Sequence, residues 1–243
     1  MRYIERQSPR SSAVQKGNKK MKKSMIAGAV LLASASMLPG CVIHVGNASA
    51  MDGSDFSSIL GNIDIAEGKH AGDISSVNGN VEISDHAGAD DVSIVNGNLE
   101  MESHVTVRSI DIVNGDISAT SHLSVLGNVE SVNGNITLPK QSTIGGHVET
   151  VNGDITATDT VIEDDVETLN GDITLKGNTH IIGNIIYRDS ESSWGERSDN
   201  RPTLTIESDV VIDGTIILER PVNLAFDNDA FDKKVVVSYS GAQ

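Results

Sequence analysis

One five-residue phrase, Val-Asn-Gly-Asn/Asp-Ile, recurs with small variations through the middle of the chain and constrains its fold more than any other feature. With a degenerate first copy included, the repeat glycines are Gly61, Gly79, Gly97, Gly115, Gly134, Gly153 and Gly171. Successive glycines are 18, 18, 18, 19, 19 and 18 residues apart. A period this regular predicts a solenoid, in which each repeat forms one coil and buries its apolar side chains by stacking on the next.

The repeat between residues 134 and 153 shows what one coil contains. Ile136 and Leu138 alternate with polar residues, as in a short strand with one buried face. Pro139 breaks this run, a second short segment ends at Gly145-Gly146, and Val148–Val151 is a third strand that leads into the next Asn-Gly. We therefore predict three short strands and three corners per coil, which is a single-stranded parallel β-helix with a triangular cross-section.

Equivalent positions keep their chemistry from one repeat to the next. Two predicted core columns are Val92, Ile110, Val129, Val148 and Val166, and Ile83, Met101, Ala119, Leu138, Ala157 and Leu175. Asn-Gly is also a hairpin signal, but an antiparallel meander would not preserve one long period. The six-residue apolar rhythm of left-handed hexapeptide helices is absent, which favours a right-handed helix. Seven to nine coils of 18–19 residues are expected over residues 59–220.

The recurrent asparagines are interpreted as structural corner residues. We expect Asn-Gly at corners because these residues tolerate positive φ, and we expect the amides to form a ladder that satisfies corner backbone groups. The six asparagines are Asn78, Asn96, Asn114, Asn133, Asn152 and Asn170.

The amino-terminal region reads as a targeting segment. Residues 1–20 are basic and polar and resemble an over-long translation start, after which Met21 begins a secretory signal that ends near residue 40. The segment Leu38–Cys41 resembles the bacterial lipoprotein signal, which implies acylation of Cys41. Val42 follows where lipoproteins of the inner membrane usually carry Asp, so the resemblance implies the outer membrane. The alternative is an ordinary signal peptide that contains one unpaired cysteine. Residues 41–58 are expected to be a flexible lipidated tether.

Charge changes sharply after this signal. Residues 1–40 hold 8 basic residues and 1 acidic residue, whereas residues 41–243 hold 10 basic and 33 acidic residues, a formal charge of −23. Such an acidic excess argues against nucleic acid as a partner and against docking of the body on anionic lipid. No uninterrupted apolar stretch of membrane-spanning length follows the signal. The membrane is therefore an expected partner only through the lipid.

Two segments near the carboxyl end depart from the period. Residues 189–202 replace an expected Asn-Gly corner and are predicted to form an inserted loop, which carries Trp194, Arg197 and Arg201 as candidate ligand-binding residues. The alternative is a polar loop whose Trp194 folds back onto the rod. Residues 221–243 contain Phe226, Phe231 and Tyr239 and are expected to cap the last coil.

Three histidines share one register. His86, His104 and His122 each lie 7 residues after a repeat glycine and should form a column. Imidazoles at sheet spacing could share a divalent transition metal such as zinc or repel one another when protonated. The alternative is a solvated corner position that was duplicated with the repeat.

Four carboxylates form a second predicted column, Asp111, Glu130, Glu149 and Glu167. Like charges opposite one another on neighbouring strands lower stability, so calcium could bridge them. The glycine-rich signature of calcium β-rolls is absent, and a solvated acidic face is the alternative. No cofactor is otherwise predicted.

Catalytic signals are scarce. Neither a Ser-His-Asp arrangement nor a phosphate-binding loop nor zinc-ligand spacing is found, and a single insertion does not build the long-loop cleft of polysaccharide-degrading β-helices. We therefore expect a protein that is not an enzyme.

The Val-Asn-Gly-Asp-Ile repeats of residues 59–218 resemble those of bactofilin-like polymer-forming cytoskeletal proteins and related adhesin-type repeat proteins. This resemblance implies end-to-end self-assembly without nucleotide. Those relatives mostly lack a lipoprotein signal, whereas Cys41 implies an envelope location. The expected function is a lipid-anchored rod with a structural, adhesive or self-assembly role. The alternative is a binding module for envelope polysaccharide or divalent cations, through the Trp194 loop or the histidine column.

Overall fold

The protein folds as an all-β parallel solenoid of about ten coils, so the predicted fold class is confirmed. The computed structural model describes residues 53–189 and 201–239 and the backbone of two short strands at 42–45 and 48–49. The number of coils is close to the seven to nine expected from the sequence. The triangular cross-section and the right-handed sense stay predictions.

The described residues form 26 strands and one 3-10 helix, Asp229–Lys234. In chain order the strands are β1 (Val42–Val45), β2 (Ala48–Ser49), β3 (Phe56–Leu60), β4 (Ile63–Ile65), β5 (Ile74–Asn78), β6 (Val81–Ile83), β7 (Gly88–Asn96), β8 (Leu99–Ser103), β9 (Thr106–Asn114), β10 (Ile117–Ser121), β11 (Ser124–Val125), β12 (Val129–Asn133), β13 (Ile136–Leu138), β14 (Ser142–Ile144), β15 (Val148–Asn152), β16 (Ile155–Thr158), β17 (Thr160–Ile162), β18 (Val166–Thr168), β19 (Ile173–Lys176), β20 (His180–Ile181), β21 (Ile185–Tyr187), β22 (Thr203–Ile206), β23 (Val211–Ile212), β24 (Ile216–Leu218), β25 (Asn223–Phe226) and β26 (Val235–Val237).

These strands form three parallel ladders that run along the rod. The first ladder is a 10-stranded sheet that begins after each Asn-Gly, in the order β2-β4-β6-β8-β10-β13-β16-β19-β22-β25. The third ladder precedes each Asn-Gly, in the order β1-β3-β5-β7-β9-β12-β15-β18-β21-β24-β26. A second ladder, β7-β9-β11-β14-β17-β20-β23, joins the third because the long strands β7 and β9 contribute to both. The coils of the middle of the rod therefore pass once through each ladder.

The core consists of columns of equivalent apolar side chains, as the repeat predicts. Val129 pairs in register with Ile110 and Val148, and all three are fully buried. Leu138 and Ala157 are likewise paired and buried in the first ladder. Aliphatic side chains fill this narrow interior because each must fit against its own equivalent at the strand spacing of about 4.8 Å.

The repeat glycine is required by close stacking of the coils. A Cβ on Gly153 would collide with the carbonyl oxygen of Gly134, and the same collision recurs at each repeat glycine from Gly79 to Gly171. Positive φ is not the shared reason, because only Gly61, Gly97 and Gly115 among these glycines have it. The expected explanation of the Asn-Gly phrase by backbone conformation is therefore corrected to one of inter-coil distance.

The corner asparagines form an exposed, continuous amide ladder. From Asn96 onward each Nδ2 donates to the Oδ1 of the equivalent asparagine one coil earlier, at 2.9–3.1 Å, along the column Asn78, Asn96, Asn114, Asn133, Asn152 and Asn170. An amide both donates and accepts, so identical side chains satisfy one another along the column. Arg220 extends the ladder by donating to Asn170.

A second polar ladder follows each repeat glycine and explains why Asn and Asp interchange there. The Oδ1 atom of the Asn or Asp that follows the glycine accepts a hydrogen bond from the backbone N–H of its equivalent in the next coil. The backbone N–H of Asp154 donates to Asn135 Oδ1 at 2.9 Å, and that of Asp172 donates to Asp154 Oδ1 at 2.9 Å. Only an acceptor oxygen is needed, so Asn and Asp serve equally well. At the end of the column Asp172 accepts from Thr203, beyond the insertion.

The insertion is bridged by a buried tyrosine that the sequence analysis did not identify. Tyr187 is fully buried. Its hydroxyl accepts from the backbone N–H of Ile173 at 3.1 Å and donates to the carbonyl of Thr203 at 3.0 Å. The phenol thus joins two neighbouring first-ladder strands, β19 and β22, on either side of the segment predicted to be an insertion.

Both ends of the solenoid differ from the expected boundaries. β1 and β2 lie within the segment expected to be a flexible tether and pair with β3 and β4, so the ladders begin before residue 59. In the last coil the 3-10 helix stands where a second-ladder strand would be, and Phe231 is buried against the core with an edge contact to Phe226 at 5.8 Å. The carboxyl-terminal segment thus completes a coil.

We predict that Gly153→Ala lowers the free energy of unfolding by about 1–3 kcal/mol, the usual effect of overpacking, because the new methyl group meets backbone that cannot move aside without separating two coils. Urea denaturation followed by circular dichroism measures the loss. Gly127→Ala is the matched control, since a Cβ there has its nearest neighbour, the Arg108 carbonyl oxygen, at 3.1 Å. Equal losses for the two variants would contradict the stacking explanation.

Candidate functional site

The three histidines predicted to share a column stack face to face along one corner. The ring centroids of His86 and His104 are 4.5 Å apart with an interplanar angle of 9°, and those of His104 and His122 are 4.3 Å apart with an angle of 16°. His86 and His104 are exposed and His122 is half-buried. The rings therefore form a surface stack with the spacing of the coils.

A left-handed backbone position puts these side chains at the corner between the first and second ladders. His86, His104 and His122 have φ values of 56°, 59° and 52°. The equivalent residues in neighbouring coils share this conformation, and they are Gly68, Gln141, Asp159 and Gly177. Glycine adopts it without strain, whereas other L-residues adopt it at a cost of about 1–2 kcal/mol. This corner, and not the Asn-Gly phrase, is where every coil from the second to the eighth uses positive φ.

Polar neighbours orient the imidazoles at either end of the stack. His86 Nδ1 lies 3.1 Å from Asp85 Oδ2, and His122 Nδ1 lies 3.1 Å from Ser121 Oγ. One potential ligand atom from each of Asp85, His86 and His104 lies within 4.8 Å of the other two. Imidazole nitrogen and carboxylate oxygen are a donor set that transition metals accept.

The remaining described histidines lie outside this column. His70 and His180 lie on the second ladder, where they face Asp90 at 3.4 Å and Asp213 at 2.9 Å. His70 comes two residues after the corner residue Gly68 and His180 three residues after Gly177, and this offset carries them from the corner to the strand. The stack is thus limited to the three histidines with the same spacing from a repeat glycine.

The four predicted carboxylates lie in register on the outer side of the third ladder. Asp111, Glu130, Glu149 and Glu167 are paired residue to residue along β9, β12, β15 and β18. They are more buried than a solvated face would be, since Glu167 is buried and the Glu149 side chain is 14 % exposed. The column is therefore a half-buried row of like charges.

Two cationic side chains that sequence reasoning missed relieve this row. His147 Nε2 lies 2.9 Å from Glu130 Oε1 and 3.9 Å from Glu149 Oε2. The Arg188 guanidinium donates to Glu167 at 2.7 and 2.8 Å and to Glu219 at 3.4 Å. One feature of the sequence could have identified His147. It immediately precedes a third-ladder strand, at a position where the neighbouring coils have Asp or Asn, such as Asp165.

The pKa values of these carboxyl groups differ because their burial and their charged neighbours differ. The hydrogen bond with His147 lowers the pKa of Glu130 and raises the pKa of His147. Burial, together with the charges of Glu167 and Glu130, raises the pKa of Glu149 to about 7. Burial also raises the pKa of Asp111 to about 6. The pKa values of Asp111 and Glu149 are therefore raised toward neutral pH while that of Glu130 is lowered, and calcium binding to the column stays a prediction.

The other predicted site residues are only partly described. Trp194, Arg197 and Cys41 lie outside the described residues. Arg201 is described and exposed, and its carbonyl accepts from the side-chain amide of Asn223 at 3.2 Å. The loop as a ligand site and Cys41 as a lipidation site stay predictions.

Comparison with protein-family models, with curated proteins and with solved structures found no match. Among the described residues there is no helix with the length and apolar character needed to cross a membrane.

We predict that Glu149→Gln stabilises the protein at pH 8 and has little effect at pH 4.5. The pKa of Glu149 is raised from 4.5 to about 7 in the fold, so the native state binds the extra proton between these values and stability falls as pH rises through that window. Removing the charge should recover on the order of 2 kcal/mol above pH 7. Urea unfolding of the wild type and the variant at both pH values measures the change in the free energy of unfolding.

Glu100→Gln is the control for this prediction, because Glu100 is an exposed carboxylate on the first ladder. It should change stability little at either pH. A Glu149→Gln variant that loses stability at pH 8 would contradict the conclusion that burial and repulsion outweigh the contact of Glu149 with His147.

Proposed function

We propose that this chain is a non-enzymatic rod of the cell envelope, anchored by lipid at Cys41, that assembles with copies of itself through the ends of its solenoid. The observation that carries the proposal is the state of the last coil. Among the described strands, β25 pairs only with β22 and β26 pairs only with β24, so both have an outer edge without a partner.

The interior of this last coil is also only partly covered. Leu218 is 3 % exposed, whereas Val237, its equivalent one coil later, is 56 % exposed. The other inward apolar side chains packed on this end are half-buried, and they are Val222, Leu224, Phe226, Val235 and Tyr239. Open strand edges beside an incompletely covered core favour association with a further parallel coil.

A second copy of this chain is the partner that fits this end. At the amino-terminal end β1 and β2 are the outermost described strands of the third and first ladders, the same two ladders that end at β26 and β25. Head-to-tail contact would therefore continue both ladders with the parallel pairing that already joins every pair of coils.

The lipid anchor would set the direction of such an assembly. Leu38–Cys41 supports acylation, and β1 starts one residue after Cys41, which leaves no long spacer. Filaments of anchored copies would then run along the membrane surface. The alternative function of polysaccharide binding through Trp194, Arg197 and Arg201 stays a prediction, because no described contact favours it.

We predict that residues 42–243 form end-to-end assemblies in negative-stain images and that Val237→Lys weakens them at least about tenfold, a loss of roughly 1.4 kcal/mol, because a charge replaces the apolar contact at the open end. Light scattering over a concentration series measures the change. Val77→Lys is the matched control, since Val77 is 41 % exposed on the side of the rod. Single rods at all concentrations would overturn the proposal, and loss only with Val77→Lys would indicate lateral association.

We also predict that Cys41 carries acyl chains when the full chain is produced in a bacterium with lipoprotein processing. Mass spectrometry of the mature amino terminus should find a modified Cys41, and Cys41→Ser should release the protein from the outer-membrane fraction. Cleavage elsewhere, with a free Cys41 thiol, would contradict lipid anchoring. It would not bear on end-to-end assembly, which the Val237→Lys experiment tests.

A further inference from the structure

We infer that the corner formed by Asp85, His86 and His104 binds one transition-metal ion such as zinc. Ligand atoms of these three residues lie within 4.8 Å of one another in the structure. The side chains project from a corner on the outside of the rod, and both imidazoles are exposed. The inference does not depend on self-assembly, because the site lies on the side of the solenoid and away from its ends.

The donor set selects the class of ion. Two imidazole nitrogens and one carboxylate oxygen suit zinc, nickel or copper, whereas calcium prefers cages made only of oxygen. Asp85 supplies negative charge at the His86 end of the stack, and its backbone N–H donates to Glu102 Oε2 at 2.8 Å. This places a second carboxylate close to the corner.

Charge also restricts the ion to one end of the column. The residue that precedes the corner changes from Asp85 to Ser103, Ser121 and then Lys140 in successive coils. The backbone of His122 donates to the carbonyl of Lys140, so this cationic residue belongs to the coil that follows His122. A cation is therefore favoured between His86 and His104 and disfavoured beyond His122.

Binding requires the first two rings to leave their stacked arrangement. A metal lies in the plane of each imidazole that binds it, and the nearly parallel planes of His86 and His104 do not converge on a common point. Zinc bonds of about 2.1 Å in tetrahedral geometry need ligand atoms about 3.4 Å apart. Rotation of two exposed side chains can supply this approach without displacing the hydrogen-bonded corner backbone.

The backbone at this corner fixes where the imidazoles project. Gly68 and Gly177 occupy the corner position at the two ends of the series, and between them His86, His104, His122, Gln141 and Asp159 hold the same left-handed conformation. The conformation therefore belongs to the corner, and the case for a metal rests on the ligand atoms of Asp85, His86 and His104 that the corner brings together.

Isothermal titration of residues 42–243 with zinc chloride, at neutral pH, tests the inference. We expect one equivalent to bind the wild type, with calcium chloride giving no saturable heat. His104→Asn should weaken zinc binding at least tenfold, because asparagine tolerates the left-handed backbone but removes the imidazole. Gln141→Asn makes a comparable change at the same corner position two coils beyond His104 and should leave the affinity unchanged.

Absence of saturable zinc binding by the wild type below millimolar concentration would overturn the inference, as would unchanged affinity in folded His104→Asn. Because the variant could unfold, a second measurement uses the wild type alone. Zinc should shift the imidazole nitrogen resonances of His86 and His104 and leave those of His180, which faces Asp213, in place. Shifts confined to His180 or to His147 would assign the ion to another site and contradict the proposal.

Discussion

Parallel backbone hydrogen bonds hold neighbouring coils at a spacing of about 4.8 Å, and the rest of the structure depends on this constraint. At this distance every side chain meets its own equivalent in the coil before and the coil after, as Val129 meets Ile110 and Val148. Aliphatic side chains accept such neighbours and form the core. Glycine is required where the backbones approach more closely still, as at Gly153 over Gly134.

The same constraint acts differently on each polar side chain of the surface. Amides are self-complementary, so the Asn78 to Asn170 ladder extends without a foreign partner. Carboxylates repel their equivalents, and the row from Asp111 to Glu167 is tolerated because His147 and Arg188 supply positive charge from other positions. One carboxylate of that row, Glu149, lies 3.9 Å from His147, but its burial and the charges of Glu167 and Glu130 outweigh this contact and raise its pKa to about 7.

Features that repeat could be predicted from the sequence, whereas features that depend on a single coil could not. The period, the parallel solenoid and the core columns follow from spacing alone, and a shared spacing also brought His86, His104 and His122 together. The partners of Glu130 and Glu167 did not follow, since His147 and Arg188 each occur in one coil and reach a neighbouring one. Tyr187 was missed for the same reason, because its bridge exists only where the insertion interrupts a corner. β1 and β2 were missed because no Asn-Gly phrase marks their coil.

Two surface columns keep residues that the fold by itself does not favour. Glycine would relieve the left-handed corner, as it does at Gly68 and Gly177, yet three imidazoles, Gln141 and Asp159 occupy it. A neutral side chain would relieve the row of acids, yet Glu149 remains between two further carboxylates. Stacking of the coils accounts for the amide ladder and the repeat glycines, so their presence requires no binding role. Because residues that lower stability are retained where a protein uses them, the side of the rod at these two columns is where binding and titration should be sought, and the open coil ends are where assembly should be sought.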